Sequence, residues 1–180
     1  MTEELKYKLT EECITINNKK LYRIEALKDF ADIKKGDKGG FVENEDNLSQ
    51  AGNCWVSDNA KVYDYAYISG NALIYGNAEV FDSAEVFNDA EVCDNAKVYE
   101  YAWVYDVAEV RNNAEVCNDA EVCGEAKAYG NAIIYGEAKV CGNACICGNI
   151  EVYGNTIIKN SSDLKKWKND KSRTKNRGLI

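Results

Sequence analysis

Residues 60–113 read AKVYDYAYISGNALIYGNAEVFDSAEVFNDAEVCDNAKVYEYAWVYDVAEVRNN, and this stretch decides the fold. Alanine returns at every sixth position from Ala60 to Ala144, fifteen times in succession. A fixed internal period marks a repeat architecture before any local propensity is weighed. Two residues after each alanine runs a second column, from Val62 to Ile158, in which every residue but Ala128 is β-branched. Residues two apart share one face of a strand, so alanine and valine point inward and the residue between them points out. The unit closes on Gly, Asp or Asn, which tolerate the positive φ of a sharp bend. Short strands joined by such bends coil around an axis.

The number of units per coil is testable on the sequence, because an eighteen-residue coil stacks residue i on i+18. One turn column reads Asn59, Asn77, Asn95, Asn113, Asn131, Asn149, as stacked, hydrogen-bonded amides would require. An outward column alternates Lys61, Glu79, Lys97, Glu115, and a corner column runs Tyr63, Phe81, Tyr99, Cys117, Tyr135, Tyr153. These ladders predict an all-β, left-handed parallel β-helix: a triangular solenoid with three hexapeptides per coil. Residues 48–160 supply about six coils, ~30 Å tall at the usual strand spacing. Alanine and valine suit its narrow interior, where larger side chains would force the faces apart. The chain has no proline, in keeping with a ladder in which each coil offers its N–H groups to a neighbour.

The ends read as caps, which a solenoid needs to cover its open core and strand edges. Residues 1–47 form a β-rich cap, with two strands around Asn17-Asn18 and a glycine-rich loop at Lys34–Gly40 that lacks the spacing of a phosphate-binding loop. Residues 161–180 read as a short basic helix with Ser162 as N-cap and Leu164 and Trp167 on one face, followed by a mobile tail, KSRTKNRGLI.

The net charge of −8 is unevenly spread. Residues 1–47 carry −2, residues 48–160 carry −11 and residues 161–180 carry +5. So acidic a body repels phosphate backbones, and direct nucleic-acid binding by it is not expected. There is no apolar run long enough to span a membrane and no secretion signal, so a cytoplasmic address is expected. The eight cysteines then read as reduced thiols. Cys93, Cys117, Cys123, Cys141 and Cys147 hold corner positions that elsewhere carry Tyr or Phe, and are taken as apolar filler rather than metal ligands, although Cys141, Cys145 and Cys147 lie within seven residues. No metal or cofactor is expected.

The repeat over residues 48–160 resembles the hexapeptide-repeat left-handed β-helix superfamily. The blocks RIEALKDF, GDKGGFVE and NLSQAGNCWV look like the amino-terminal signature of uncharacterised hexapeptide-repeat proteins of bacteria, phages and prophages. The wider superfamily is known for acyl- and acetyltransferases that use a histidine at a subunit interface, and for carbonic anhydrases that hold zinc with three histidines. This chain has no histidine, and its period never slips to admit a long loop between coils. It is therefore read as a non-enzyme, the alternative being acyl transfer by a tyrosine or carboxylate base. The resemblance also implies a homotrimer and an accessory or counter-defence role for a mobile element.

Binding is left to the surface. Tyr63, Phe81 and Tyr99 form a stripe, with Tyr65 and Tyr101 at the adjoining turn and Tyr67 and Trp103 on the next face. They are read as a trimer interface, an intrachain stack, or a cleft between subunits for a nucleotide-like ligand or a host protein. Arg111 is the anion contact of such a cleft, with Tyr129 one coil above, or else half of a cation–π pair. A further reading makes Glu79, Asp82, Glu85, Asp89, Glu91, Asp94, Glu109, Glu115 and Glu121 a DNA-like array of carboxylates, against a solvated face that keeps the rod soluble. A purely structural or ice-binding role fits poorly with charged outer faces that lack threonine arrays.

Overall fold

In the computed structural model the described residues are 4–177, with side chains described through Asn169. Eighteen short strands, from Trp55–Val56 to Ile157–Ile158, wind through three parallel sheets in turn, six strands to each. The result is a β-solenoid with a C-terminal helix. Every stacked pair is in the i+18 register: Lys61 lies against Glu79, Glu79 against Lys97 and Lys97 against Glu115. Backbone bonds run from coil to coil, as from Trp55 N to Ala72 O at 3.0 Å and from Lys97 N to Ala114 O at 3.0 Å.

The sequence pattern explains the coil. Ala60, Val62, Ala96, Val98, Ala114 and Val116 are all fully buried in one continuous core. The fifth residue of each unit takes the left-handed conformation, with Asp64, Asp82, Asp94, Glu100, Asp106 and Asn112 at φ between 57° and 63°. Asp and Asn accept this geometry at little cost; Glu does so less readily. Gly70 needs to be glycine on a second count, because a Cβ there would meet Asn88 N at 2.8 Å.

The asparagine ladder is closed by side-chain amides, from Asn77 to Asn95 at 3.3 Å, Asn95 to Asn113 at 3.3 Å, Asn113 to Asn131 at 3.0 Å and Asn131 to Asn149 at 2.9 Å. In the Lys/Glu column Lys61 pairs with Glu79 at 3.0 Å.

At the N-terminal end β1 (Tyr7–Ile16) and β2 (Lys19–Ala26) form a hairpin, turned by Asn17 and Asn18 at φ 50° and 65°. The glycine-rich segment is a loop only in part. Lys38–Val42 is a strand, β3, antiparallel to β2 and parallel to the coil strand at Lys61–Val62. Gly39 and Gly40 permit this close contact: a Cβ on either would lie 2.5 to 2.6 Å from a carbonyl of the first coil. Tyr7, Ile24 and Ala26 share the solenoid's own core. Lys6 is buried here, donating to Cys54 O at 2.9 Å and lying 3.2 Å from Cys54 Sγ, and burial pushes its pKa down.

The C-terminal helix α1 (Ser161–Arg177) is longer than the sequence reading. Its N-cap is Asn160, whose side-chain Oδ1 accepts from Ser162 N at 2.8 Å and Asp163 N at 3.1 Å, so Ser162 lies inside the first turn. The expected tail is corrected for 171–177, which continue the helix because no Gly or Pro interrupts them before Gly178; 178–180 lie outside the described residues. Leu164 joins the core, and Trp167 packs edge-on against Tyr153 at 5.9 Å, so the helix acts as a lid. Among the described residues no helix is long and apolar enough to cross a membrane.

Candidate functional site

The aromatic residues divide into two sets. Tyr63, Phe81 and Tyr99 stack face to face within the chain, with centroids 5.1 and 5.0 Å apart and rings within 4° and 1° of parallel. Tyr63 is only 5% exposed and packs with Leu21 and Phe41 of the cap. Stacking follows from the register, since each ring sits one strand spacing from the next. A second stack, Phe87 on Tyr105 at 5.0 Å, holds the neighbouring corner. Sequence reading missed it because that column offers two rings, not three.

The corner tyrosines also fasten coils. Tyr75, Tyr99 and Tyr105 each donate to the glutamate sixteen residues on, Glu91 at 3.1 Å, Glu115 at 3.1 Å and Glu121 at 2.8 Å. Each also reaches the cysteine eighteen residues on, Cys93, Cys117 and Cys123. Burial raises the pKa of those three thiols, which fits them as filler. Many of the regularly spaced carboxylates are thus engaged within the chain: Glu79 on Lys61, Glu109 on Lys127, Glu121 on Lys139, and Asp94 on the Asn112 amide.

The second set projects outward, although Trp103 also meets the Phe87 ring edge-on at 6.4 Å. Tyr65 and Tyr101 are 87% and 66% exposed, and Tyr67 and Trp103 are exposed beside them. Tyr65 and Tyr101 share one column two coils apart, with Ser83 between them. The small serine leaves a groove of about 340 Å³ lined by Asp64, Tyr65, Asp82, Ser83, Glu100 and Tyr101. An adjoining groove of about 420 Å³ runs over Glu85, Trp103, Asp119 and Glu121. A group seated over Ser83 therefore has a phenol on the coil below it and another on the coil above, roughly 9–10 Å apart at two strand spacings.

The groove is strongly acidic. Asp64 is paired with Lys19 at 2.5 Å. Asp82 accepts from Glu100 N at 3.2 Å, and Glu100 accepts from Asn118 N at 2.7 Å and from the Asn118 amide. Each of these bonds uses one carboxylate oxygen and leaves the charge in place. Glu100 holds its position at φ 61°, in a column where its neighbours are Asp and Asn. A longer, non-glycine side chain in the left-handed region costs on the order of 1 kcal/mol, and such strain gathers at functional sites. Asp82 was legible in the sequence as one of the regularly spaced carboxylates, whereas Ser83 and Glu100 follow only from stacking at i+18 between and beside the two tyrosines.

Arg111 and Tyr129 are not part of this strip. The Arg111 guanidinium lies over the Tyr129 ring at 5.0 Å, at the corner that carries the asparagine ladder, with Glu109 at 3.9 Å. Among the described residues no three His, Cys, Asp or Glu side chains gather as for a metal ion.

No family model matches the chain. It is 39% identical over 61 residues to a protein of Escherichia coli (strain K12) named "Uncharacterized acetyltransferase YdcK", a match taking in 29% of this chain and 19% of that protein. The chain thus spans about a fifth of the length of the curated relative it matches. The reading of this chain as a non-enzyme is corrected by this finding. A partial match to a protein named as an acetyltransferase leaves acyl-transfer chemistry open to this chain.

Proposed function

We propose that the protein binds a cationic group, an amine or guanidinium carried by a small molecule or by a basic segment of another protein, in the groove between Tyr65 and Tyr101. The observation that carries this reading is the pairing of two exposed phenols with the carboxylates of Asp82 and Glu100 around the small Ser83. Aromatic faces and carboxylates both attract cations, and both repel phosphate. This chemistry displaces the nucleotide-like ligand considered from the sequence, because the basic residue that would meet a phosphate, Arg111, stands at another corner against Tyr129.

The test is titration with spermidine, an arginine-rich peptide and a nucleoside triphosphate, followed by tryptophan fluorescence, since Trp103 flanks the groove. The amine and the peptide are expected to bind and the nucleotide is not. Tyr101→Ala is expected to weaken binding at least about tenfold, by removing one aromatic wall. Nucleotide binding without amine binding, or amine binding unchanged by Tyr101→Ala, overturns the proposal. A homotrimer, as the hexapeptide resemblance implies, that falls apart on the same substitution would hand the strip to a second copy of the chain.

A second reading is favoured by the named relative: the bound amine is the acceptor of an acetyl group. The groove carboxylates would then take the amine proton in place of the absent imidazole. Its test is transfer of acetyl from an acetyl thioester to spermidine. Loss of transfer, with binding kept, in Glu100→Gln supports it; no transfer by the unaltered protein sinks it.

A further inference from the structure

Three of the tyrosine fasteners share one spacing, Tyr at i, Glu at i+16 and Cys at i+18, while Tyr135 keeps the glutamate, Glu151, with Tyr153 in the cysteine position. The shared spacing holds for Tyr75, Glu91 and Cys93, for Tyr99, Glu115 and Cys117, and for Tyr105, Glu121 and Cys123. At Tyr129 it is broken in one place. Cys147 holds the cysteine position, but the glutamate is replaced by Cys145. The Cys145 thiol donates to the Tyr129 hydroxyl at 3.3 Å, and Cys147 stands in register with Tyr129 on the neighbouring strand. Cys145 and Cys147, two apart on one strand, thus project from the same side of it, next to a single tyrosine.

The surroundings differ from those of the buried thiols. Cys145 and Cys147 are both half-buried rather than buried. The strands here, Lys127–Gly130 and Cys145–Gly148, run four residues instead of two, and hold Tyr129 against Cys147 and Lys127 against Cys145. Arg111 lies over the Tyr129 ring.

We propose that Cys145 and Cys147, joined by the Tyr129 phenol, form a site for one soft monovalent cation of the Cu(I) class. Thiolates select such ions, and two sulfurs with one phenol fall short of the four ligands of a structural zinc site. Binding forms two metal–sulfur bonds and releases the two thiol protons to solvent, with copper and sulfur unchanged in oxidation state. A rotation about χ1 of each cysteine closes the sulfurs onto the ion.

The experiment is anaerobic titration of the reduced full chain with Cu(I) in competition with bicinchoninate. One equivalent is expected to be withheld from the chelator. Cys145→Glu, which restores the Tyr–Glu–Cys rule and so is expected to fold with an unchanged or higher melting temperature, loses that equivalent, as does Cys147→Ser. Cys13→Ser and Cys141→Ser keep it. No copper withheld by the unaltered chain, retention by Cys145→Glu, or loss on Cys141→Ser instead would each overturn the assignment.

Discussion

Tyr63 and Tyr65 flank a single turn residue, and the structure uses them in opposite ways. Tyr63 is buried in a ring stack that runs through Phe81 to Tyr99, while Tyr65 stands 87% exposed over an acidic groove. Composition does not separate them; position within the hexapeptide does. The residue before the left-handed bend lies along the corner, where its neighbours at i±18 cover it. The residue after the bend projects outward, and where its column reads Tyr, Ser, Tyr the smaller middle residue leaves a recess. In a solenoid the inner column supplies cohesion and the outer one is available for recognition.

The largest effect expected from this division lies at high pH. Burial raises the pKa of Tyr63, Tyr99 and Tyr105, and the bond to Cys93 followed by burial raises that of Tyr75. In the unfolded chain these phenols ionise near 10, whereas the folded chain keeps them neutral. Their contribution is therefore complete below about pH 10 and is lost as the pH rises beyond it. Denaturant midpoints measured from pH 8 to 12 are expected to fall steeply above 10, and Tyr99→Phe should soften the slope; a flat profile would show that the corner stacks do not hold the coils. Next in size, Phe81→Ala removes the middle ring of the stack and should cost about 3 kcal/mol in urea unfolding, the low end for phenylalanine because the ring is only partly buried.

Asn113→Ala cuts the ladder at two amide bonds, and thermal melting should register about 1 kcal/mol. Smallest of all is Tyr101→Ala, expected to leave stability within about 0.5 kcal/mol of the original while weakening recognition of cations at least about tenfold. A stability loss as large as that of Phe81→Ala would erase the distinction between the two columns.

The acidic surface teaches a related lesson. From the sequence its carboxylates look like one array, available either to solvent or to a basic partner. In the structure Glu91, Glu115 and Glu121 are acceptors for tyrosines one coil below, and the bond from Lys139 holds the Glu121 carboxyl below the ordinary carboxylate range. Glu100 and Asp82 bond only to backbone and amide groups of the next coil and still face the groove. Which carboxylates remain available depends on the side chains at i−16 and at i±18, relations invisible at the six-residue period.

The repeat by itself determined the solenoid. Alanine and valine at fixed spacing leave one inward face, Gly, Asp and Asn supply the bends, and the asparagine column sets eighteen residues per coil. The hairpin turn at Asn17-Asn18 was equally legible, because its conformation is local. Tertiary structure decided the rest: that Lys38–Val42 is a strand pressed onto the first coil, that Asn160 caps the helix, that Phe87 stacks on Tyr105, and that Tyr65 and Tyr101 enclose a groove while Arg111 lies elsewhere on Tyr129. The physical reason is range. Core and turns follow from neighbours within one hexapeptide, whereas exposure and bonding at the surface depend on side chains sixteen to thirty-six residues away, brought together only when the coils stack.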